Sequence, residues 1–412
     1  MEKIVIIGGG ASGLIASIYA KTKTNQVIIL EKNTNCGKKL LITGNGRCNY
    51  WNEDQSLEHY HSNHPELLSD IITSKNQGDI LNFFRQIGIT PKIKNGYYYP
   101  FSNQAVSVQY ALVLEAKIKG VEIHTDILVE DIMAKEDQFI ITTNRENIIA
   151  DKIVLATGSK ACPKTGSDGK GYLLAERLGH SIIPVEPALV SLMGEYSYLK
   201  KWNGIRTDVI VTLYENGNII KTEEGEIQLT DYGISGICTF NLSRYAAIGL
   251  KQQKKEYITI NFLPFLNSKK ECIDWLGTQN KQVKNRTIGE LLEATLNYKL
   301  VDVLLKIAQI PYTQIWTNCT KKEQMKLIDL LYSFHFDIQK TNTFEKAQVC
   351  SGGIPLIEIN PNTMESNIVK NLYFTGEILD VDGDCGGYNL SFAWITGMLA
   401  GKDIRSKTND SN

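Results

Sequence analysis

The chain has 412 residues, 42% hydrophobic and 22% charged, with 44 basic side chains against 45 acidic ones. At roughly 150 residues per domain that length predicts two or three domains, and the composition excludes collagen, coiled coil and disorder. Without a basic excess there is little to neutralise a nucleic-acid backbone, so no nucleic-acid partner is expected.

Eight cysteines stand at 36, 48, 162, 238, 272, 319, 350 and 385. None form the Cys-x-x-Cys pair of a zinc ribbon or dithiol redox centre, and free thiols in a chain this large predict a cytoplasmic location. Residues 4–20, IVIIGGGASGLIASIYA, carry no charge. Three consecutive glycines, each about 1 kcal/mol worse than alanine in a helix, argue against a membrane span. So does a length below the ~20 residues a span needs. The stretch reads as a buried strand, a turn and an apolar helix, and no membrane partner is expected.

In chain order, residues 3–7 predict a strand, 8–13 a turn, 14–22 a helix and 26–31 a second buried strand, a βαβ start. A polar, glycine-rich loop follows at 37–49. Helices are predicted at 67–87 and 107–119, with a turn at Asn95-Gly96 between them. A strand at 121–125, a hairpin of 127–133 with 138–143, and a central parallel strand at 152–156 come next. From about 184 the texture is β-rich. Residues 208–214 and 218–222 flank Asn216-Gly217, a strong hairpin signal, and further strands are predicted at 226–229 and 257–262. Residues 267–334 show the three-and-four spacing of helices. Residues 371–375 predict a short buried strand and 389–400 an apolar helix, and the polar tail from Lys402 is expected to fray.

The chemistry lies in glycine turns. Gly8-Gly9-Gly10-Ala11-Ser12-Gly13 fits GxGxxG, follows a strand and opens a helix, and Glu31 ends the second strand. Gly8 makes the turn, Gly10 admits a pyrophosphate to the backbone, and Gly13 lets helix and strand pack closely. The helix N-terminus supplies N–H groups and partial positive charge, and Glu31 can accept from a ribose diol while repelling a 2′-phosphate. A second turn in IVLATGS contains Thr157-Gly158, and a third runs from Thr375-Gly376-Glu377 to Gly386-Gly387-Tyr388-Asn389. Three separated glycine turns favour FAD over NAD, the last offering N–H groups to the N1/O2 edge of a flavin.

Together with GKKLLITGNGRCN (37–49), GYYYPFSNQAVSV (96–108), PKTGSDGKGY (163–172), LTDYGISG (229–236) and TGEILDVDGDCGGYN (375–389), these motifs resemble the aminoacetone-oxidase-like family of bacterial FAD flavoproteins. That family also holds members similar to flavin-dependent bile-acid Δ4/Δ6 reductases. The resemblance spans nearly the whole chain. It implies an α/β, Rossmann-like FAD-binding domain of glutathione-reductase-like type from 1–185 and 345–412. A β-rich domain would be inserted at 186–265 and about 335–345, with a helical domain at 266–334 nested inside it.

It further implies that Gly8, Gly10, Ala11, Ser12, Gly13, Glu31 and Lys32 hold the ADP half, with Val129 beside the adenine. Lys39, Gly44, Asn45, Arg47 and Asn49 would line the pyrophosphate-to-flavin stretch, and Thr157 and Gly158 would supply a third backbone approach. Gly376, Glu377, Asp380, Gly386, Gly387 and Asn389 would follow the ribityl and isoalloxazine. The chain departs from the family pattern at Tyr97, Asp231-Tyr232, Cys238 and Cys350, so substrate specificity is not carried over.

Cys48 and Cys350 read as inert core thiols, because disulfide reductases use closely spaced pairs. His59, His61 and His64 read as a solvated loop, so no metal is expected. The expected activity is an FAD-dependent oxidoreductase acting on a small molecule. Its form is a reductase of an enone-like substrate, with NADH or NADPH as transient reductant in the absence of a second GxGxxG. The alternatives are an amine oxidase of aminoacetone type using dioxygen, and a non-catalytic FAD-binding or redox-sensing protein. No residue reads as a catalytic acid or base.

Overall fold

The computed structural model describes residues 1–283 and 286–410. The chain divides into two compact units, Met1–Glu186 with Phe344–Asn412, and Pro187–Thr343. No helix among the described residues is long and apolar enough to cross a membrane.

The first unit is built on five strands, β1 (Glu2–Ile7), β2 (Asn25–Leu30), β3 (Glu122–His124), β4 (Lys152–Leu155) and β5 (Leu372–Phe374). All pair in parallel, in the order β5-β4-β1-β2-β3. The central strands β1, β2 and β4 run into apolar stretches because both faces are covered there, and Ile4, Val5, Ile6, Val27, Ile153, Val154 and Leu155 are completely buried. The edge strand β3, Glu122-Ile123-His124, is largely exposed. From β1 the chain winds outward through β2 to β3, then returns to β4 and β5 on the other side. The direction of winding reverses between β1 and β4.

Helix α1 (Ala11–Ala20) follows β1, α2 (Ala105–Lys119) precedes β3, and α3 (Tyr388–Asp410) follows β5. α1 and α3 lie backbone to backbone. A Cβ at Gly397 would stand 2.4 Å from the Ser12 carbonyl oxygen, and one at Gly401 2.7 Å from that of Ala16. α1 begins at Ala11 and not at residue 14 as predicted, so Ser12 and Gly13 belong to its first turn. The predicted helix at 67–87 is broken into Leu68–Ile71 and Ser74–Gln86, because the Thr73 hydroxyl accepts the Asn76 N–H at 3.1 Å and caps the second piece. The hairpin Val129–Lys135/Gln138–Thr143 gains a third strand, Asn147–Ala150. The tail does not fray at Lys402: α3 continues to Asp410, held by Lys402 to Asp79 (2.5 Å), Lys407 to Asp403 (2.7 Å) and Tyr373 Oη to Asp403 (2.8 Å).

The second unit is a seven-stranded antiparallel sheet around the hairpin Arg206–Glu215/Asn218–Leu229, which turns at Asn216-Gly217 with both residues at positive φ. The strand predicted separately at 226–229 is the end of the second hairpin strand. The helix Ile237–Lys251 was not predicted in this β-rich stretch; it lays Cys238, Leu242 and Ala246 onto the same core as the sheet's Val209, Val211, Ile258 and Ile260. Helices Lys269–Gln282, Ile288–Glu293, Tyr298–Ala308 and Lys321–Tyr332 contribute Leu276, Leu292, Leu304 and Leu327 to that same cluster. The helical stretch and the sheet therefore share one core.

Candidate functional site

Winding reverses between β1 and β4, the place where an open parallel sheet has its ligand crevice, at the carboxyl ends of the strands. Gly8, at φ +103°, lies against Ala156, whose carbonyl oxygen would be 2.5 Å from a Cβ. At Gly13 a Cβ would stand 2.0 Å from the Gly8 carbonyl oxygen, so helix α1 can approach β1 only with glycine there. Gly10 is different. It is the N-cap, at φ −79° and ψ −164°, and a Cβ there meets nothing within 4 Å. No side chain among the described residues caps α1. The first-turn N–H groups thus face an open approach with the positive end of the helix dipole behind them.

Glu31, buried just past β2, is fixed by three donors. Its Oε2 accepts the Gly9 N–H at 2.8 Å, and its Oε1 accepts the N–H (2.8 Å) and side-chain amide (2.7 Å) of Asn33. A carboxylate has about four acceptor positions, so capacity remains for a hydroxyl. The chain crosses it again where Ile127 N–H donates to the Glu31 carbonyl, and buried Val129 lies two residues on. Lys32 is held by Asp168 at 2.8 Å.

The third glycine turn reaches the same crevice from the other end of the chain. Ser12 Oγ donates to the Thr375 carbonyl (3.2 Å), and Gly376 N–H donates to Thr396 Oγ1 (3.0 Å). Glu377 Oε2 receives Lys39 Nζ at 2.6 Å and Ser159 Oγ at 3.1 Å. Four buried oxygens beside the glycine turns, Thr157 Oγ1, Thr375 Oγ1, Ser351 Oγ and Asn49 Oδ1, have no partner among the described residues. More than about nine in ten buried polar groups are paired, so such a concentration points to an absent polar ligand. An uncapped helix, a fixed carboxylate and unpaired hydroxyls fit a dinucleotide, with its diphosphate and its sugar hydroxyls.

The remaining predicted residues divide. Gly386 and Gly387 both have positive φ at the entry to α3, where Asn52 Nδ2 donates to the Gly386 carbonyl (3.1 Å) and to Tyr388 Oη (3.0 Å). Gly158 makes a positive-φ turn after Thr157. Gly44 and Asn45 are also left-handed but lie on an exposed loop, where Arg47 stacks over Tyr99 and bonds the Gly44 carbonyl. Asn389 spends its side-chain amide on the N–H and carbonyl of Gly383, and Asp380 accepts from the N–H and side chain of Asn63. These last two shape the loop.

The histidine segment is not the solvated loop expected from sequence. Tyr60–His61 pairs as a strand with Asp382–Gly383, and buried Asp384 reaches His61 Nε2 (3.0 Å) and His59 Nδ1 (3.2 Å). His59 Nε2 faces Asp54 at 3.3 Å, and its ring stacks on Tyr388. Asp54, Glu58 and His59 bring oxygen and nitrogen atoms within 4.8 Å of one another, but both ring nitrogens of His59 already face carboxylates. Asp384 was legible only as part of a motif, and Asn52 carried no signal. Burial pushes the thiol of Cys48 up to about 12 and that of Cys350 to about 11, so neither is a ready thiolate.

A parallel sheet with a glycine turn and an uncapped helix at its reversal point defines a Rossmann-type α/β protein. The chain belongs to the HI0933-like family, whose Rossmann domain matches residues 2–403. It is 39% identical over 404 residues to the 3-dehydro-bile acid delta(4,6)-reductase of Clostridium scindens, covering 98% of both chains. It is 27% identical to the ribosomal RNA dihydrouridine synthase of Escherichia coli, covering 97% of each. A solved structure of similar fold is the 3-ketosteroid-delta4-(5alpha)-dehydrogenase of Rhodococcus jostii RHA1, at 14% identity and a TM-score of 0.50, covering 98% of this chain and 97% of that one.

Proposed function

We propose that this protein is an FAD-dependent oxidoreductase that saturates a carbon–carbon double bond conjugated to a carbonyl, with NADH or NADPH as transient reductant. The observation that carries the cofactor reading is the meeting of Ser12 with Thr375 and Gly376, which joins glycine turns 363 residues apart at one crevice. The substrate class is supported by the relatives, one named as a delta(4,6)-reductase of a 3-dehydro-bile acid and the other as a dihydrouridine synthase, names consistent with reduction of a ring double bond. A bound flavin supplies a two-electron carrier between a hydride donor and an acceptor.

The residues of the chain divide the remaining work. The open N–H groups at the start of α1 bind the diphosphate, with Gly10 leaving the approach clear. Glu31 accepts from the ribose diol and disfavours a phosphate in its place. Lys39 and Ser159 hold Glu377, and through it the third turn. The N–H groups at the entry to α3 would face the ring system of a bound flavin, where they could offset negative charge.

The test is to add FAD to the purified protein, follow the visible spectrum under anaerobic NADH or NADPH, and then supply a 3-keto-4-ene steroid, uridine-containing RNA or dioxygen. Bleaching by a nicotinamide and recovery with the steroid is the expected result. Recovery with RNA alone makes the substrate a nucleic acid. Bleaching only by an amine, with peroxide formed in air, replaces the reading by an amine oxidase. A yellow protein inert to every donor leaves a binder. Folded protein that takes up no FAD overturns the cofactor assignment.

A further inference from the structure

Helix α2 is apolar on both sides. Ala105, Val108, Leu112 and Ala116 are buried against the first unit's core. On the other side Val106, Tyr110, Leu114 and Ile118 follow one another at four-residue spacing, and they are 48, 65, 41 and 69% exposed. Phe101, in the turn before the helix, is 68% exposed. No charge occurs from Phe101 to Leu114; the charges of this segment are Glu115, Lys117 and Lys119 at its end. A surface helix normally turns a polar face to water, and a sustained apolar strip marks a contact surface.

We propose that this strip is the interface of a two-fold homodimer in which α2 packs antiparallel against α2 of a second copy. The exposed residues form a single i, i+4 ridge. Two such ridges interlock at a crossing angle of about −50°, the commonest way for helices to pack. The two-fold axis falls on the ridge between Tyr110 and Leu114, so Tyr110 meets Leu114 of the second copy and Val106 approaches its Ile118. Charge selects the antiparallel arrangement. Lys117 and Lys119 sit at one end of the helix with a single carboxylate, Glu115, which pairs with Lys119 at 3.7 Å. A parallel pair would therefore bring two like net charges together, whereas the antiparallel pair separates them and opposes the helix dipoles.

Area is adequate. The five side chains present roughly 600 Å² per copy, against ~800 Å² per partner in a standard interface. The half-buried Ser107, Ala111 and Val113 beside the ridge supply more. A membrane surface fits less well, because an interfacial helix carries basic residues along its polar face and this one has two lysines at one end.

Sedimentation equilibrium of the full chain between about 1 and 100 μM tests the proposal, a range that spans micromolar dissociation constants. A reversible dimer is expected. Tyr110→Glu and Ile118→Lys point outward and should leave the fold intact by circular dichroism while weakening association by about 100-fold each. Met133→Glu, at an exposed apolar position elsewhere, should leave the dimer unchanged. A wild-type chain that stays monomeric at the highest concentration overturns the proposal, as does a dimer indifferent to both α2 substitutions. Monomers that co-sediment with anionic lipid vesicles, and lose that binding with Tyr110→Glu, assign the strip to a membrane surface instead.

Discussion

Gly10 and Gly13 lie three residues apart in one motif, yet the structure separates their roles, and alanine at each position tests that separation. At Gly13 the new Cβ would sit 2.0 Å from the Gly8 carbonyl oxygen and 3.1 Å from Ala156 Cβ. Backbone cannot rotate away as a side-chain tip can, so α1 must shift off β1. Overpacking of this kind costs about 1–3 kcal/mol or more. At Gly10 the Cβ meets nothing within 4 Å, and the backbone is one that alanine adopts freely. Alanine is a poorer N-cap than glycine by a few tenths to about 1 kcal/mol, and the stiffer unfolded chain returns about 0.4–1 kcal/mol, so net stability should hardly move.

Binding should respond in the opposite sense. The methyl group at position 10 occupies the approach to the first-turn N–H groups, and FAD affinity should fall at least about tenfold, or ~1.4 kcal/mol. Urea unfolding of the protein without cofactor and fluorescence titration with FAD separate the two effects. Gly10→Ala should match the wild type in the first assay and fail in the second; Gly13→Ala should fail in both. A Gly10→Ala protein that binds FAD as tightly as the parent refutes the assignment of this turn to the diphosphate. One that unfolds as readily as Gly13→Ala refutes the packing argument.

Other tests concern stability and reactivity. Glu256 is 3% exposed and faces Glu215 across neighbouring strands; burial, then the charge of Glu215, pushes its carboxyl from 4.5 to about 7. A raised carboxyl contributes its full stability below the unfolded value and loses it as pH climbs through the folded one. Glu256→Gln should therefore match the wild type near pH 4 and exceed it above pH 7 by up to about 3 kcal/mol, at ~1.4 kcal/mol per pH unit, in urea melts at both pH values. Equal pH profiles would contradict the buried-charge reading. Lys39→Met and Glu377→Gln should each destabilise by about 1–2 kcal/mol, with the double variant losing clearly less than the sum; strict additivity would mean that the 2.6 Å pair is not coupled. Iodoacetamide at pH 8, read by mass spectrometry of the native protein, should spare buried Cys48 and Cys350 and label the half-exposed Cys162 faster. Rapid labelling of Cys350 would reopen a thiol role.

Local rules reach some elements of this chain and stop at others. The βαβ start, the Asn216-Gly217 hairpin and the helices between 267 and 334 were legible because each is specified by residues within one or two turns of one another: apolar runs, positive-φ pairs, three-and-four spacing. GxGxxG with Glu31 was legible for the same reason, since the turn, helix start and second strand occupy a single stretch of chain. The helix Ile237–Lys251 escaped because its apolar positions follow a glycine and serine turn in a β-rich stretch, and only the sheet beneath it supplies a partner for its buried face. The α3 tail escaped because Lys402, Asp403 and Lys407 look like a solvated end until Asp79, Glu365 and Tyr373 are brought beside them.

Likewise Asp384 acquires its histidine neighbours only when a strand from residue 60 pairs with one from residue 382. Apolar runs and the glycine motifs themselves made the βαβ start and the position of each glycine turn legible, and the resemblance to a known family supplied the rest of the fold class. Only the tertiary structure decided which turns converge, which polar atoms are left unpaired, and which predicted ligands are already committed to the protein. Those outcomes depend on contacts hundreds of residues apart, formed when strands and helices pack, and no local pattern encodes them.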